Sequence, residues 1–403
     1  MEANALFEIA LGLGSHWKVV ESRLEGTPKQ LILKLEPIKG VHWKCPECEN
    51  YGPMHDSLER SWRHLNFFQY ECQLVARVPR CRCEKHGVKQ VEVPWARAGS
   101  GFTLMFEALV MLLCQQAAVA EVAQLLGEQD TRLWRIVCAH VEVAQAGRDW
   151  SKVTRILVDE VSAKRGHRYV TNFVDEETRE LLFMAEGRKA ETIAEFARAL
   201  RAHGGAPEQI QWVGMDMSAA YAAGVGKYLP KAKKAFDHFH IAQLAGNALD
   251  EVRRQLHAEH GGLKDARWSV LGNEWTRSPE QQKQRAELRE AYPKLGRALG
   301  LRESLQDVLA TRDEAALKWW CGWAARSRLE PFRKLARTLK SHWEGILGFF
   351  ESGITSAAIE AINGKLQLAK RIARGFRNFA FFRAIAYLKT ARLDLNLPSL
   401  KPS

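Results

Sequence analysis

Apolar positions set the first boundaries along the chain. Tyr70, Cys72, Leu74, Ala76 and Val78 alternate with polar residues, the period of a strand with one buried face. From residue 103 to 145 the period lengthens to that of helices. In "AAVAEVAQLLG" the residues Val119, Val122, Ala123 and Leu126 make one apolar face, and Gly127 supplies a stop. After the short turn "EQD", Asp130 is placed to cap a second helix, "TRLWRIVCAHVEVA". The pair predicts a helix-turn-helix or, alternatively, a packing hairpin of the same shape. Thr131, Arg132 and Arg135 fall early on its second helix, where such a motif reads the major groove.

From residue 154 the pattern turns to strands. "TRILVDEVSA" is a short apolar run ending at Asp159 and Glu160, and "HRYVTNFVDE" and "ELLFMAEG" flank the turn-like "EETR". "KAETIAEFARALRAHG" predicts a helix that stops near Gly204 and Gly205. "QIQWVGMDMSAAY" is a strand running into Asp216 and a helix; "KAKKAFDHFHIAQLAG" is a fifth strand leading to Asp237, His238 and His240. The order β-β-β-α-β-α-β is mixed α/β. Ile241 to about Phe350 is helical by pattern, with Trp319, Trp320 and Trp323 as core aromatics or, alternatively, a platform for an unpaired base. One last helix is predicted over 354–382, with Glu360 near its start.

Charge changes the picture. The 403 residues are 46% hydrophobic and 26% charged, which predicts a globular chain of two or three domains. From Arg326 to Arg392 there are 14 Lys and Arg against four acids, so much of the +12 net charge sits late in the chain and suits a polyanion. The most apolar stretch, "FTLMFEALVMLLC", is broken by Glu107, so no membrane span is expected. The first residues lack the basic region of a secretory signal, which predicts a cytoplasmic chain. Disulfides are rare there, and the eight cysteines need another role.

Cys45-x-x-Cys48 points two thiolates at one metal, and Cys83-x-x-His86 repeats the gap. Cys45, Cys48, Cys83 and His86 predict a closed, structural zinc site, with Cys81 competing with His86 for the fourth place. Cys72, Cys114, Cys138 and Cys321 read as buried thiols.

The carboxylates carry the chemistry. Asp159 and Asp216 sit at or near strand ends, and Glu360 is a lone acid among Lys365, Lys370, Arg371, Arg374 and Arg377. In-line phosphodiester cleavage activates one oxygen and stabilises another, which two divalent ions roughly 3.5–4 Å apart can do. Oxygen ligands suit magnesium, with manganese as the substitute. Asp159, Asp216 and Glu360 could hold that pair. Glu160, Asp175 and Asp237 are rival ligands, and Asp216 could instead cap the helix after it.

The chain resembles the Asp-Asp-Glu transposases of bacterial insertion sequences, in the ISL-three-type branch with a zinc-binding N-terminus. The resemblance is carried by "CPEC", "VPRCRCEKHGVKQVEVPWA", "GSGFTLMFEALV", "AEVAQLLG", "VDEVSAKRGHRYVT", "VGMDMSAAY", "FDHFHIAQLAGNALDEVRR" and "IEAINGKLQLAKRIARGFRNFAFF", in family order. It implies a multidomain α/β protein: a zinc-binding domain over 1–100, a helix-turn-helix domain over 101–150, and an RNase H-like catalytic domain. That last domain would comprise 151–240 and 351–403, with a helical insertion over 241–350. By the same resemblance Asp159, Asp216 and Glu360 are the catalytic carboxylates holding two magnesium ions, with Asp237 and His240 of second rank. The implied activity binds terminal inverted repeats in double-stranded DNA, cleaves, and joins the 3′ hydroxyl to target DNA, in a homodimer or larger assembly. Lys365, Lys370, Arg371, Arg374 and Arg377 would hold phosphates. The other readings are a non-catalytic DNA-binding regulator and an RNase H-like nuclease or resolvase on branched DNA. One departure is Ala361, where the family usually has glycine.

Overall fold

The alternation that begins at Tyr70 holds to Val78, slips by one position at Pro79, and belongs to a strand that runs to Cys83 as the spine of the first sheet. The structure is a computed structural model that describes residues 3–164, 168–272 and 277–400. After helix α1 (Ala3–Leu11) come β1 (Trp17–Glu25), β2 (Gln30–Pro37), the short β3 (Trp43–Lys44) and β4 (Tyr51–Gly52), then β5 (Met54–Phe67), β6 (Tyr70–Cys83) and β7 (Gly87–Gln90). The sheet runs β1-β2-β6-β5, with β7 paired to β6, while β3 and β4 form their own two-stranded ribbon. Cys72, Leu74, Ala76 and Val78 of β6 are buried, as their alternation predicts. Trp95 packs edge-on against Trp17 and Trp62 at 4.8 and 5.5 Å in the same core.

Three helices follow: α2 (Leu104–Cys114), α3 (Val119–Leu126) and α4 (Asp130–Ala146). Gly127 ends α3 in the left-handed region at φ +69°, where a glycine carries no Cβ penalty. Asp130 is the first residue of α4 rather than its cap. The acid that interrupts the apolar stretch, Glu107, is fully buried and accepts hydrogen bonds from Arg97, Ser100 and His140. Burial pushes its carboxyl up, but the bonds from His140 and Ser100 and the Arg97 charge hold it below the ordinary range. Among the described residues no single helix is long and apolar enough to cross a membrane.

By packing the chain divides into two compact units, Met1–Ala144 with Leu393–Ser403, and Gln145–Arg392. The sheet and the helical hairpin therefore share one unit, where two domains were expected. Residues 393–400, expected with the catalytic domain, also belong to the first unit. There Leu393, Leu395 and Leu397 line a cleft with Ala108, Met111 and Leu112 of α2. Apolar side chains every second residue give this tail something to bury.

The second unit opens with β8 (Arg155–Lys164), β9 (Arg168–Asp175) and β10 (Leu181–Glu186), then α5 (Ala190–Ala202), β11 (Trp212–Met215), α6 (Ala219–Tyr228) and β12 (Lys233–Phe236). The sheet order is β10-β9-β8-β11-β12. β10, β9 and β8 pair antiparallel; β11 is parallel to both β8 and β12. The first strand does not end at Asp159 and Glu160: it continues to Lys164, because β9 pairs with it there after β11 has departed at Val158. His167, the expected start of the next strand, lies outside the described residues.

Helices fill the rest: α7 (His238–His260), α8 (Arg267–Leu271), α9 (Pro279–Ala291), α10 (Pro293–Thr311), α11 (Glu314–Arg326), α12 (Glu330–Ser341), α13 (Trp343–Ser352), α14 (Ala357–Ile372) and α15 (Phe379–Thr390). Trp320 is a core aromatic whose indole N–H donates to the Leu301 carbonyl at 2.8 Å. Trp319 is 60% exposed beside Trp323, so the core reading applies to only part of the group. The single helix predicted over 354–382 is two. Arg374 and Gly375 take positive φ, and Asn378 caps α15 by accepting from the Phe381 N–H at 2.9 Å. Arg374 and Arg377 therefore sit in a connecting loop, not on a helix.

Candidate active site and zinc centre

Register alone brings the strand carboxylates together. Met215 of β11 pairs with Val158 of β8 and with Phe236 of β12. The next residue on each strand is an aspartate: Asp159, Asp216 and Asp237. Three parallel neighbours thus present acids at the same level, where parallel pairing ends. Glu360, in the first turn of α14, faces the same cavity, which is also lined by His240, Ile354 and Ser356. All three predicted catalytic carboxylates line one pocket, with both second-rank residues.

The helix is seated by a side-chain relay. Asn363, one turn after Glu360, donates from Nδ2 to Asp159 Oδ2 at 2.7 Å, and buried Asn172 of β9 donates to Asn363 Oδ1 at 2.8 Å. Sequence reasoning missed both asparagines. The i, i+3 spacing from Glu360 was the available clue for Asn363, since it puts the two on one helix face. Glu360 Oε1 accepts from Ser356 at 2.5 Å.

Electrostatics separate the aspartates. Burial raises the Asp159 carboxyl to about 6; the Glu160 N–H opposes this, the Asp216 charge adds to it, and His240 offsets it in part. Asp216 accepts from the Ser218 N–H at 3.1 Å, and Ser218 is the cap of α6, so Asp216 is not. Asp237 does cap its helix, α7, and accepts from His240 Nδ1 at 2.9 Å. Burial would push the Asp237 carboxyl up, but the His240 and Phe239 bonds hold it below its ordinary value. His240 is raised by that bond against the pull of burial, with the charges of Asp237, Asp216 and Asp159 adding to it. The other rivals, Asp175 and Glu160, do not line this cavity. Asp175 is held in the β9–β10 turn by Thr178, and Glu160 pairs with Arg188 at 3.3 Å.

A cluster of oxygen donors, one of them kept protonated toward neutral pH by burial and a neighbouring acid, fits a hard divalent cation. Of the cations assigned to phosphate, Lys365, Arg371, Arg374 and Arg377 are exposed. Lys370 is not available in the same way: its ammonium donates to the Ser162 carbonyl of β8 at 2.6 Å. Ala361 is exposed on α14.

In the first unit Cys45, Cys48, Cys83 and His86 place one ligand atom each within 4.8 Å of all the others. The Cys48–Cys83 sulfur separation is 3.6 Å, and His86 Nδ1 lies 3.7 and 3.6 Å from the Cys45 and Cys83 sulfurs. A tetrahedron with metal–sulfur bonds of about 2.3 Å has edges of about 3.8 Å, so the set fits zinc. Backbone N–H groups of His86 and Lys85 lower the Cys83 thiol, favouring the thiolate a metal needs. His86 Nε2 faces Glu47 at 3.7 Å, which orients the ring. Cys81 is fully buried beside Cys45, its thiol directed at the Lys44 carbonyl, and it falls outside the group of four that His86 completes.

On α4, Thr131 and Arg135 are exposed, whereas Arg132 is half-buried, paired with Glu128 and stacked over Phe102 at 4.3 Å. Arg132 therefore braces the turn between α3 and α4.

Comparison with known proteins agrees with this layout. The zinc finger of the IS204/IS1001/IS1096/IS1165 transposases matches residues 42–86, the helix-turn-helix domain of transposase family ISL3 matches 91–141, and the ISL3 transposase domain matches 156–386. The chain is 31% identical to the transposase for insertion sequence element IS1557 of Mycobacterium tuberculosis (strain CDC 1551 / Oshkosh), over 98% of this chain and 97% of that one. It is 28% identical to the transposase for IS1001 of Bordetella parapertussis, over 89% and 91%. With zinc ribbon, helix-turn-helix and transposase matches following one another in this order, the chain belongs to the ISL3 family of transposases.

Proposed function

We propose that the chain cleaves DNA at terminal inverted repeats and joins the freed 3′ hydroxyl to target DNA, at a site formed by Asp159, Asp216 and Glu360. The observation that carries this is the shared register level of Asp159 and Asp216, with Glu360 on the same cavity. The RNase H-like reading of the catalytic domain draws support from the topology, an antiparallel trio of strands extended by two parallel ones.

Two magnesium ions, held by those three carboxylates, would supply activation of the attacking oxygen and stabilisation of the leaving one. The chain's own groups do the positioning. Asn363 fixes Asp159 relative to α14, and with it the approach of Glu360. The hydrogen bond from His240 to Asp237 favours the imidazolium, whose charge would offset carboxylate repulsion before metal arrives. Lys365, Arg371, Arg374 and Arg377 neutralise DNA phosphates beside the site. The helix-turn-helix, through Thr131 and Arg135, and the zinc ribbon would recognise the repeats. Acting on two element ends calls for at least two copies on the DNA.

The test uses labelled inverted-repeat ends and a target duplex in magnesium. The unmodified chain should give nicked and joined products. Asp216→Asn and Glu360→Gln should bind the ends and give neither, while Asp175→Asn should remain active. Equal cleavage by all four proteins would sink the assignment.

A further inference from the structure

Arg302 on α10 is the odd cation of the second unit. It is 8% exposed, its Nε is buried without a partner, and among the described residues its guanidinium meets no carboxylate. Three of the arginines around it, Arg253, Arg285 and Arg289, are matched to carboxylates. Arg285 pairs with Glu303 at 2.6 Å and also bonds the Val270 carbonyl; Arg289 shares Glu303 at 3.2 Å. Arg253 and Arg254 both take Asp250, at 2.7 and 3.3 Å. The nearby acids are spent. Burial and the charges of Arg285 and Arg277 all disfavour the Arg302 cation, with Glu303 a partial offset. A buried, uncompensated arginine is costly to keep unless something brings a negative charge to it.

Arg302 opens into a cleft lined by Gln243, Asn247 and Asp250 of α7, by Gln306 and by Arg267. Gln243, Asn247, Gln306 and Arg267 are exposed, and each carries N–H donors. His240, Gln243, Asn247 and Asp250 recur at helical spacing, so one face of α7 leads from the carboxylate site into this cleft. From His240 to Asn247 the helix rises roughly 10 Å, or about three steps at 3.4 Å per nucleotide.

We propose that this cleft binds a phosphate of the DNA backbone, on the same strand as the reacting phosphate and about three nucleotides from it. The proposal rests on the reading of Asp159, Asp216 and Glu360 as the reaction site. Arg302 is its charge anchor, and Gln243, Asn247 and Gln306 complete the hydrogen bonding.

The experiment measures binding of an inverted-repeat end by the full-length chain, with calcium replacing magnesium, over a range of salt. Arg302→Met should weaken binding about tenfold and reduce the slope of log affinity against log salt by about one. Its melting temperature should hold or rise, because the variant removes an unmatched buried charge. Gln306→Glu, an exposed change that brings a carboxylate to the cleft, should weaken binding at least as much. Unchanged affinity and slope in both variants, or a melting temperature lowered by Arg302→Met, would overturn the proposal. So would inorganic phosphate binding that Arg302→Met abolishes while DNA affinity stays put, which would mark a free-phosphate site. Asp216→Asn should bind DNA as tightly as the unmodified chain in this assay. If it also cleaves normally in magnesium, the reaction-site reading fails while the cleft's effect on affinity still stands.

Discussion

Asn363 shows how much a neutral side chain can decide. It touches Asp159 on one side and Asn172 on the other, and fixes a strand carboxylate against the helix that brings Glu360. Asn363→Ala should lower magnesium-dependent cleavage by about 10–100-fold and weaken metal binding, with the melting temperature little changed. An unaffected rate would mean that α14 is seated without it. Asp159 adds a pH dependence. Its carboxyl, raised to about 6, holds a proton that a metal must displace. Manganese affinity should therefore weaken by about tenfold per pH unit below 6 and stay level between 7 and 8. The metal-free fold responds with the opposite sign. A carboxyl raised above its unfolded value contributes stability at low pH that is lost as pH rises through about 6. Urea unfolding compared with Asp159→Asn would read both slopes. At this scale the acids that line one cavity and the four clustered Cys and His residues were legible, the latter from their paired spacing and the former from the family resemblance, since spacing alone left rival acids. Asn363 and Asn172 were not, because they depend on partners remote in sequence; nor was the bracing role of Arg132, which joins a local bond to Glu128 with a remote stack on Phe102.

Among the elements, the pairing of β8, β11 and β12 does most to build the site, and Gly214 protects it. A Cβ on Gly214 would come within 2.6 Å of both Ile354 and Leu157. Ile354 leads into α14, so a methyl group there presses on the segment that carries Glu360. Gly214→Ala should cost about 1–3 kcal/mol of stability by overpacking and slow cleavage more than it weakens DNA binding. Calorimetry and the strand-transfer assay together would check this. The strands of this sheet were legible from apolar runs, and so was the helical character of the stretch from Ile241 to Phe350. Two features were not. The continuation of β8 past Asp159 depends on β9, a partner that a local window does not contain. The break between α14 and α15 was overlooked because basic and apolar residues keep a helical rhythm through Arg374 and Gly375, although Gly375 and the Asn378 cap were there to be read.

For the whole molecule, charge is the property that reaches furthest. The excess of Lys and Arg late in the chain predicts salt-sensitive DNA binding, but its members are not equivalent. Lys365→Ala and Arg371→Ala should each reduce the salt slope by about one. Lys370→Ala should instead cost about 1 kcal/mol of stability through the lost bond to Ser162, with a smaller change in slope. Equal slopes for all three would overturn the distinction. Composition foretold a polyanion partner and more than one domain; it could not foretell that residues 393–400 pack with the N-terminal unit, because that grouping is a matter of tertiary contact. The order of parts along the chain has an evolutionary corollary. Glu360 lies 144 positions beyond Asp216, and among the described residues eight helices, α6 to α13, stand between them. A frameshift or early stop anywhere in that stretch leaves the sequence of the zinc ribbon and helix-turn-helix intact but deletes Glu360, Asn363 and the tail that packs against α2. On the proposed function, decayed copies of such a gene whose N-terminal unit still folds would encode proteins that occupy the same element ends and leave them uncut, a brake on intact copies in the same genome.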